Sequence, residues 1–237
     1  MSPPTVSVVI PLYQDASSIA VVLNALNAQE SAIAFEIIVV DGGSTDLTRE
    51  MVQTHPEIIW MTAPKGRASQ MNAGASAMLS RQHTSSDWLL FLHADTLLPD
   101  HAFRQLDQIA IAPNCQAGGF QHEFSGKDWR LRMISWLDNF RCQRSQIIYG
   151  DQALFVRVGL FHQLEGFPLQ PILEDVRFCE HLLAHTTPKL LPTSVVTDAR
   201  KFLQMGVWRS LIRVVMIILH VEYGLPTLTP AFFTDVR

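Results

Sequence analysis

Alternation constrains this chain more than any other feature. Short apolar runs rich in valine and isoleucine take turns with stretches whose apolar residues recur at helical spacing. The runs are "VSVVIP" (Val6 to Pro11), "FEIIVVD" (Phe35 to Asp41), "IIWMTA" (Ile58 to Ala63) and "DWLLFLHAD" (Asp87 to Asp95). Such runs read as strands buried on both faces. Between the first two lies "ASSIAVVLNALNAQ", with Ile19, Val22, Leu23 and Leu26 on one helical face and Asp15 placed as an N-cap. "STDLTREMVQTH" and "GRASQMNAGASAMLS" fill the next gaps as helices, with Ser44 or Thr45 placed to cap the first of them. Strands alternating with helices predict an α/β fold: a mostly parallel sheet with right-handed crossovers, flanked by helices.

The second half is less regular. "AGGFQHEF" (Ala117 to Phe124), "QALFVR" (Gln152 to Arg157) and "KLLPTSVVTDAR" (Lys189 to Arg200) read as strands, and "EDVRFCEHLLAH" (Glu174 to His185) as a helix. A long terminal helix is expected from Lys201 to Tyr223. With 237 residues, 48% of them hydrophobic, and no internal repeat or linker, one domain over residues 1–237 is the economical expectation. A net charge of −4 gives no reason to expect a nucleic-acid partner. Cys115, Cys142 and Cys179 have no C-x-x-C spacing and read as buried thiols in a reducing compartment. No basic segment precedes the first apolar run, and "VVMIIL" (Val214 to Leu219) is too short to span a bilayer, so a soluble, cytoplasmic protein is expected.

In an open parallel sheet, ligands bind beyond the carboxyl ends of the strands. Those ends carry Pro11-Leu12-Tyr13, Asp41-Gly42-Gly43, Ala63-Pro64-Lys65 and His93-Ala94-Asp95. "VVDGGSTD" is either a strand-to-helix turn or a carboxylate placed to accept hydrogen bonds from a base or ribose. It is not G-x-G-x-x-G, which disfavours a dinucleotide. Lys65 and Arg67 stand where a helix begins, which makes either an anion site or an ordinary basic cap. In a site equipped for phosphate, Asp95 is the candidate ligand for Mg2+ or Mn2+, which take one or two carboxylates plus substrate phosphates. His93 taken alone reads more readily as a structural histidine.

The ordered segments "VSVVIPLYQD", "VVDGGSTD", "KGRASQMNAG", "FLHADT", "GDQALFVR" and "GFPLQPILEDV" resemble a family 2 glycosyltransferase of the GT-A fold over nearly the whole chain. Within that family the chain is most similar to small single-domain enzymes linked with arsenosugar biosynthesis, although nothing in these residues recognises arsenic. The resemblance implies a nucleotide-binding half over about residues 1–96 and a variable acceptor half, with the terminal helix, over about 97–237. It implies a nucleotide-sugar donor, uridine-linked by family habit, bound by Pro11, Tyr13, Asp41, Gly43, Lys65, Arg67, Asn72, His93 and Ala94. Asp95 would hold the metal on the diphosphate. Asp175 of the "ED" pair would be the base for an acceptor hydroxyl whose identity is open, with Glu174 its competitor. A single base and no protein nucleophile imply inversion.

Gly150, Asp151 and Gln152 of "YGDQ" are acceptor- or sugar-side candidates, or else a turn before a strand. His93 departs from the commoner D-x-D pattern and removes one negative charge from the metal's surroundings, which weakens metal affinity or shifts preference towards manganese. Two rivals stay open. A nucleotidyltransferase should carry a glycine-rich loop after the first strand, and "PLYQDASSI" is not one. A non-catalytic nucleotide-sugar-binding relative should have lost Asp95 or Asp175. Finally, the terminal helix, with Arg209, Arg213 and Trp208 beside a wide apolar face, either packs on the core or lies peripherally on the inner membrane face.

Overall fold

A computed structural model describes residues 5–29, 34–79, 87–110, 115–170 and 172–223. The first half alternates as expected: β1 (Thr5–Leu12), α1 (Ala16–Asn27), β2 (Ala34–Asp41), α2 (Thr48–Gln53), β3 (Ile59–Thr62), α3 (Arg67–Leu79) and β4 (Trp88–Phe91). A two-residue strand β5 (Thr96–Leu97), α4 (Ala102–Ala110), β6 (Ala117–Phe124) and α5 (Trp129–Ser145) follow. The chain continues through β7 (Phe155–Arg157), α6 (Val158–Gln163), α7 (Glu174–Leu183), β8 (Lys189–Thr197), α8 (Arg200–Met205) and α9 (Val207–Tyr223).

One eight-stranded sheet runs in the order β3-β2-β1-β4-β7-β6-β8-β5. The β3-β2-β1-β4 half is parallel throughout. β7 joins it antiparallel to β4, and beyond it β6 and β8 pair in parallel. Successive residues of each central strand enter two different cores. Val8, Ile10, Ile37, Val39, Trp88 and Leu90 pack on one side with α1 and Phe103 of α4. Val9, Ile38, Val40, Leu89 and Phe91 pack on the other with α3, α7 and Phe161. Each large apolar side chain so buried contributes roughly 1.5–3 kcal/mol, which makes this double-sided half the rigid frame of the molecule.

Several expectations on local structure change. β4 stops at Phe91, so His93-Ala94-Asp95 occupies the turn before β5. Gly150–Gln152 forms a 3-10 turn, and the strand expected from Gln152 begins only at Phe155. Neither Ser44 nor Thr45 caps α2: Asp46 Oδ1 accepts from Thr48 N instead, and Ser44 turns back to Asp41. The terminal helix is two helices, broken where Gly206 takes φ +92°, a conformation outside the helical region. Among the described residues no helix is long and apolar enough to cross a membrane.

Candidate active site

The carboxyl ends of β1 to β4 set one rim of the site. Asp41, buried at the end of β2, accepts the N–H groups of Gly43 and Ser44 at 3.0 and 2.9 Å and the Ser44 hydroxyl. Its carboxylate therefore shapes the turn that the backbone of Gly43 presents. Gln14 donates to Ser44 Oγ and Thr45 Oγ1, tying the end of β1 to that turn. Pro11 is buried beneath, while Tyr13 is exposed with Lys65 Nζ 3.8 Å from its ring centroid. That cation–π pair joins the β1 end to the loop before α3.

Gln70 went unnoticed in the sequence although it lies within "KGRASQMNAG". Its Nε2 donates to the carbonyls of Leu12 and Val40, both at 2.7 Å, and Oε1 accepts from Gly66 N. One buried amide thus fixes the ends of β1 and β2 and the start of α3 relative to each other. Asn72, two α3 positions further along, clamps the peptide of Phe167: Nδ2 donates to its carbonyl and Oδ1 accepts its N–H. The Phe167 ring enters a cluster with Phe91, Phe161 and Phe178, with centroids 4.8, 5.6 and 4.7 Å away. Asn72 therefore positions the loop that leads into α7.

That loop delivers Glu174 and Asp175 to the first turn of α7, where the helix N-terminus favours carboxylates. Both are buried. Arg67 Nε lies 2.8 Å from Glu174 Oε1, joining the N-termini of α3 and α7. Partial desolvation opposes the Arg67 charge, but Glu174, Asp175, Asp151 and Asp95 outweigh it and hold its pKa above the ordinary value. One guanidinium therefore feels carboxylates from α7, from the 3-10 turn and from the turn after β4.

Gly150 is the wedge between the two halves. Its N–H donates to Asp175 Oδ2 at 2.6 Å, and a Cβ on it would lie 2.6 Å from His93 Nε2. Only glycine lets the imidazole and the carboxylate close on it. Burial, then the Arg67 charge, push the His93 pKa down, so the ring is neutral near pH 7. Ala94 is buried, and the Asp95 carbonyl accepts from Asp198 N at 2.9 Å, pinning this turn to the end of β8. Gln152 is buried and accepts from Tyr149 N, which makes it a brace of the 3-10 turn.

Behind that turn lies a second polar cluster. Fully buried His122 has Nδ1 3.7 Å from Asp138 and Nε2 3.8 Å from Asp151. Burial, then the Asp151 charge, push the Asp138 carboxyl up to about 6. Arg141 stacks over the Tyr149 ring at 3.5 Å. The three cysteines are buried and free, and burial raises each thiol, Cys142 to about 11, which keeps them unreactive.

Among the described residues no group of three or more His, Cys, Asp or Glu side chains could hold a metal ion by itself. Asp95 is half-buried in the turn between β4 and β5. A single carboxylate fits a hard divalent cation whose remaining ligands are phosphate and water, and does not fit an all-protein cage.

The family model for glycosyl transferase family 2 matches residues 7–161. The succinoglycan biosynthesis protein ExoA of Rhizobium meliloti is 28% identical over 109 residues, 44% of this chain and 32% of that protein. An undecaprenyl-phosphate 4-deoxy-4-formamido-L-arabinose transferase of Pseudomonas aeruginosa is 31% identical over 144 residues, 59% of this chain and 42% of the relative. The chain thus spans between about a third and two fifths of the length of these curated relatives. Among solved structures, S. aureus TarS 1–349 superposes with a TM-score of 0.64 at 16% identity, over 98% of this chain and 70% of that one. The mannosyltransferase PcManGT from Pyrobaculum calidifontis, solved with GDP-Man and Mn2+, gives 0.65 at 20% identity, over 100% and 68%. These likenesses identify the fold as that of GT-A glycosyltransferases.

Proposed function

Given that this chain belongs to glycosyl transferase family 2, with residues 7–161 matching the family model, we propose that it moves a sugar from a nucleotide-linked donor to an acceptor hydroxyl with inversion, assisted by a divalent cation. The observation that carries this reading is the convergence of Arg67, His93 and Asp175 on Gly150 and Glu174, from elements remote in sequence, at the carboxyl edge of the parallel strands. TarS has been solved with UDP and with UDP-GlcNAc, and PcManGT with GDP-Man and Mn2+, so nucleotide sugars occupy proteins of this fold. We take uridine as the base here, with guanosine as the competitor that the test must separate.

In this reading Pro11, Tyr13 and the Asp41–Gly43 turn receive the base and ribose. Lys65 and Arg67 face the diphosphate, whose developing charge they stabilise as the glycosidic bond breaks. Asp95 holds Mn2+ or Mg2+, which supplies a further positive charge to the leaving group when bound. Asp175 accepts the acceptor's proton while the hydroxyl oxygen attacks the anomeric carbon from the face opposite the diphosphate. Glu174 is the weaker candidate for the base because the Arg67 ion pair engages its carboxylate. Asp151, partly exposed within the 3-10 turn, lies on the acceptor side. Contact of α9 with a membrane surface belongs to the same reading.

Thermal unfolding with UDP, GDP and their common sugar conjugates, each with Mn2+ and with EDTA, tests it, since a ligand that binds the folded state raises the midpoint. Uridine ligands should raise it more with the metal, and Asp95→Ala should erase that difference without lowering the unliganded midpoint. Equal binding with EDTA would refute the metal assignment. No shift with any nucleotide would refute donor binding.

A further inference from the structure

Large aromatic side chains are seldom left in water, yet here they collect on two neighbouring helices. Trp129, Trp136 and Phe140 of α5 and Trp208 and Ile212 of α9 are all between 53% and 64% exposed. Their spacing is regular. Trp129, Met133, Trp136 and Phe140 recur at i, i+4, i+7 and i+11, which places them on one stripe of α5. Trp208, Ile212 and Val215 repeat the pattern on α9. Trp136 and Phe140 stack on each other at 5.7 Å and 18°.

These stripes are additional to the faces the two helices bury. Leu131 and Ile134 of α5 meet Val207 and Leu211 of α9, with Phe202 of α8 and Phe124 of β6 completing the cluster. Each helix is thus apolar on two sides, one turned to the protein and one turned outward. A cleft of about 630 Å3 joins the outer sides, lined by Lys127, Asp128, Trp129, Arg130, Arg132 and Trp208. Arg130 is paired with Asp128, and Asp138 faces His122 inside. Among the described side chains of α5, α9 and the turn before α5, the exposed charges are therefore cationic: Lys127, Arg132, Arg144 and Arg209. That sign opposes the chain's net charge of −4.

We propose that α5 and α9 together form a docking face for a bilayer surface carrying anionic phospholipid. The two tryptophan-bearing stripes enter the interface, and the cationic cleft between them receives a lipid phosphate. Aromatic rings suit the headgroup boundary, where an apolar ring and a polar edge are both satisfied. The positive charge selects against a neutral bilayer. The proposal rests on the reading of α9 as a membrane-facing helix and adds α5, the cleft and the headgroup charge. Sugar transfer is read separately through nucleotide binding, so either can fail alone.

The test is flotation of the full chain with phosphatidylcholine vesicles, with and without about one third phosphatidylglycerol, while tryptophan emission is recorded. Wild type should bind the anionic vesicles about tenfold better than the neutral ones, with a blue shift in emission, and should lose most of that preference in about 0.5 M salt. Trp136→Ser/Phe140→Ser, which alters only exposed positions, should abolish flotation yet keep the nucleotide-dependent rise in the unfolding midpoint. Lys127→Glu/Arg132→Glu should abolish the preference for anionic lipid. Wild type that stays unbound, or double variants that float as well as wild type, would overturn the proposal. So would a concentration-dependent dimer, seen by sedimentation velocity, that Trp136→Ser/Phe140→Ser breaks while vesicle binding is nil, because the face would then belong to a second copy.

Discussion

Arg67 and Glu174 meet at 2.8 Å although they open two helices far apart in the chain. Glu174 is buried and Arg67 is about half exposed, so water screens one partner only. Removing the arginine takes the cationic partner from a buried carboxylate. Arg67→Ala should therefore cost about 2–3 kcal/mol in urea unfolding, below the usual range for breaking a buried pair because of that exposure. Arg67→Ala/Glu174→Gln should recover much of the loss, since a neutral amide no longer needs a cation. Additive losses in the double variant would show that the pair is not coupled. Neither residue's partner was legible in the sequence. The "KGR" and "ED" segments announced charge at two helix starts, but a contact across the fold leaves no local trace.

Elements show where sequence reading succeeds and why it stops. β1, β2 and β4 were legible because Val6, Val8, Val9, Ile10 and Leu12, then Ile37, Ile38, Val39 and Val40, then Trp88, Leu89, Leu90 and Phe91 each enter one of two cores. α5 was missed for the opposite reason: its buried Leu131 and Ile134 and its exposed Trp136 and Phe140 lie on different sides, so no single amphipathic period stands out. The break at Gly206 was also overlooked, because the apolar residues on either side of it keep a helical spacing. The loop into α7 belongs at this scale. Phe167 anchors it through three aromatic neighbours and through the Asn72 clamp. Phe167→Ala should lose about 3–5 kcal/mol of stability. Phe167→Leu, which refills most of the space, should lose about 1 kcal/mol and fold normally. Because the loop sets the start of α7, Phe167→Leu should lower turnover more than it lowers the nucleotide-dependent rise in the unfolding midpoint. Equal effects on both would show that the loop does not position the carboxylates separately from the donor.

Across the whole molecule, the parallel strands β3-β2-β1-β4 supply the rim expected to take the nucleotide. The later segments bring Gly150, Asp151, Glu174 and Asp175 against it. The rim was legible as a set of strand ends. The second half of the site was legible only through resemblance, since "YGDQ" and "ED" carry no periodic signal of their own. We propose that Asp175 removes the acceptor's proton at a site where the donor is bound independently of it. Nucleoside diphosphate release, measured with the nucleotide sugar that most raises the unfolding midpoint, tests this in wild type and Asp175→Asn side by side. The variant should release the nucleotide roughly two to four orders of magnitude more slowly while binding the donor as wild type does. Wild-type rates in Asp175→Asn, or activity lost in Glu174→Gln alone with its fold intact, would contradict the assignment and move the base to Glu174.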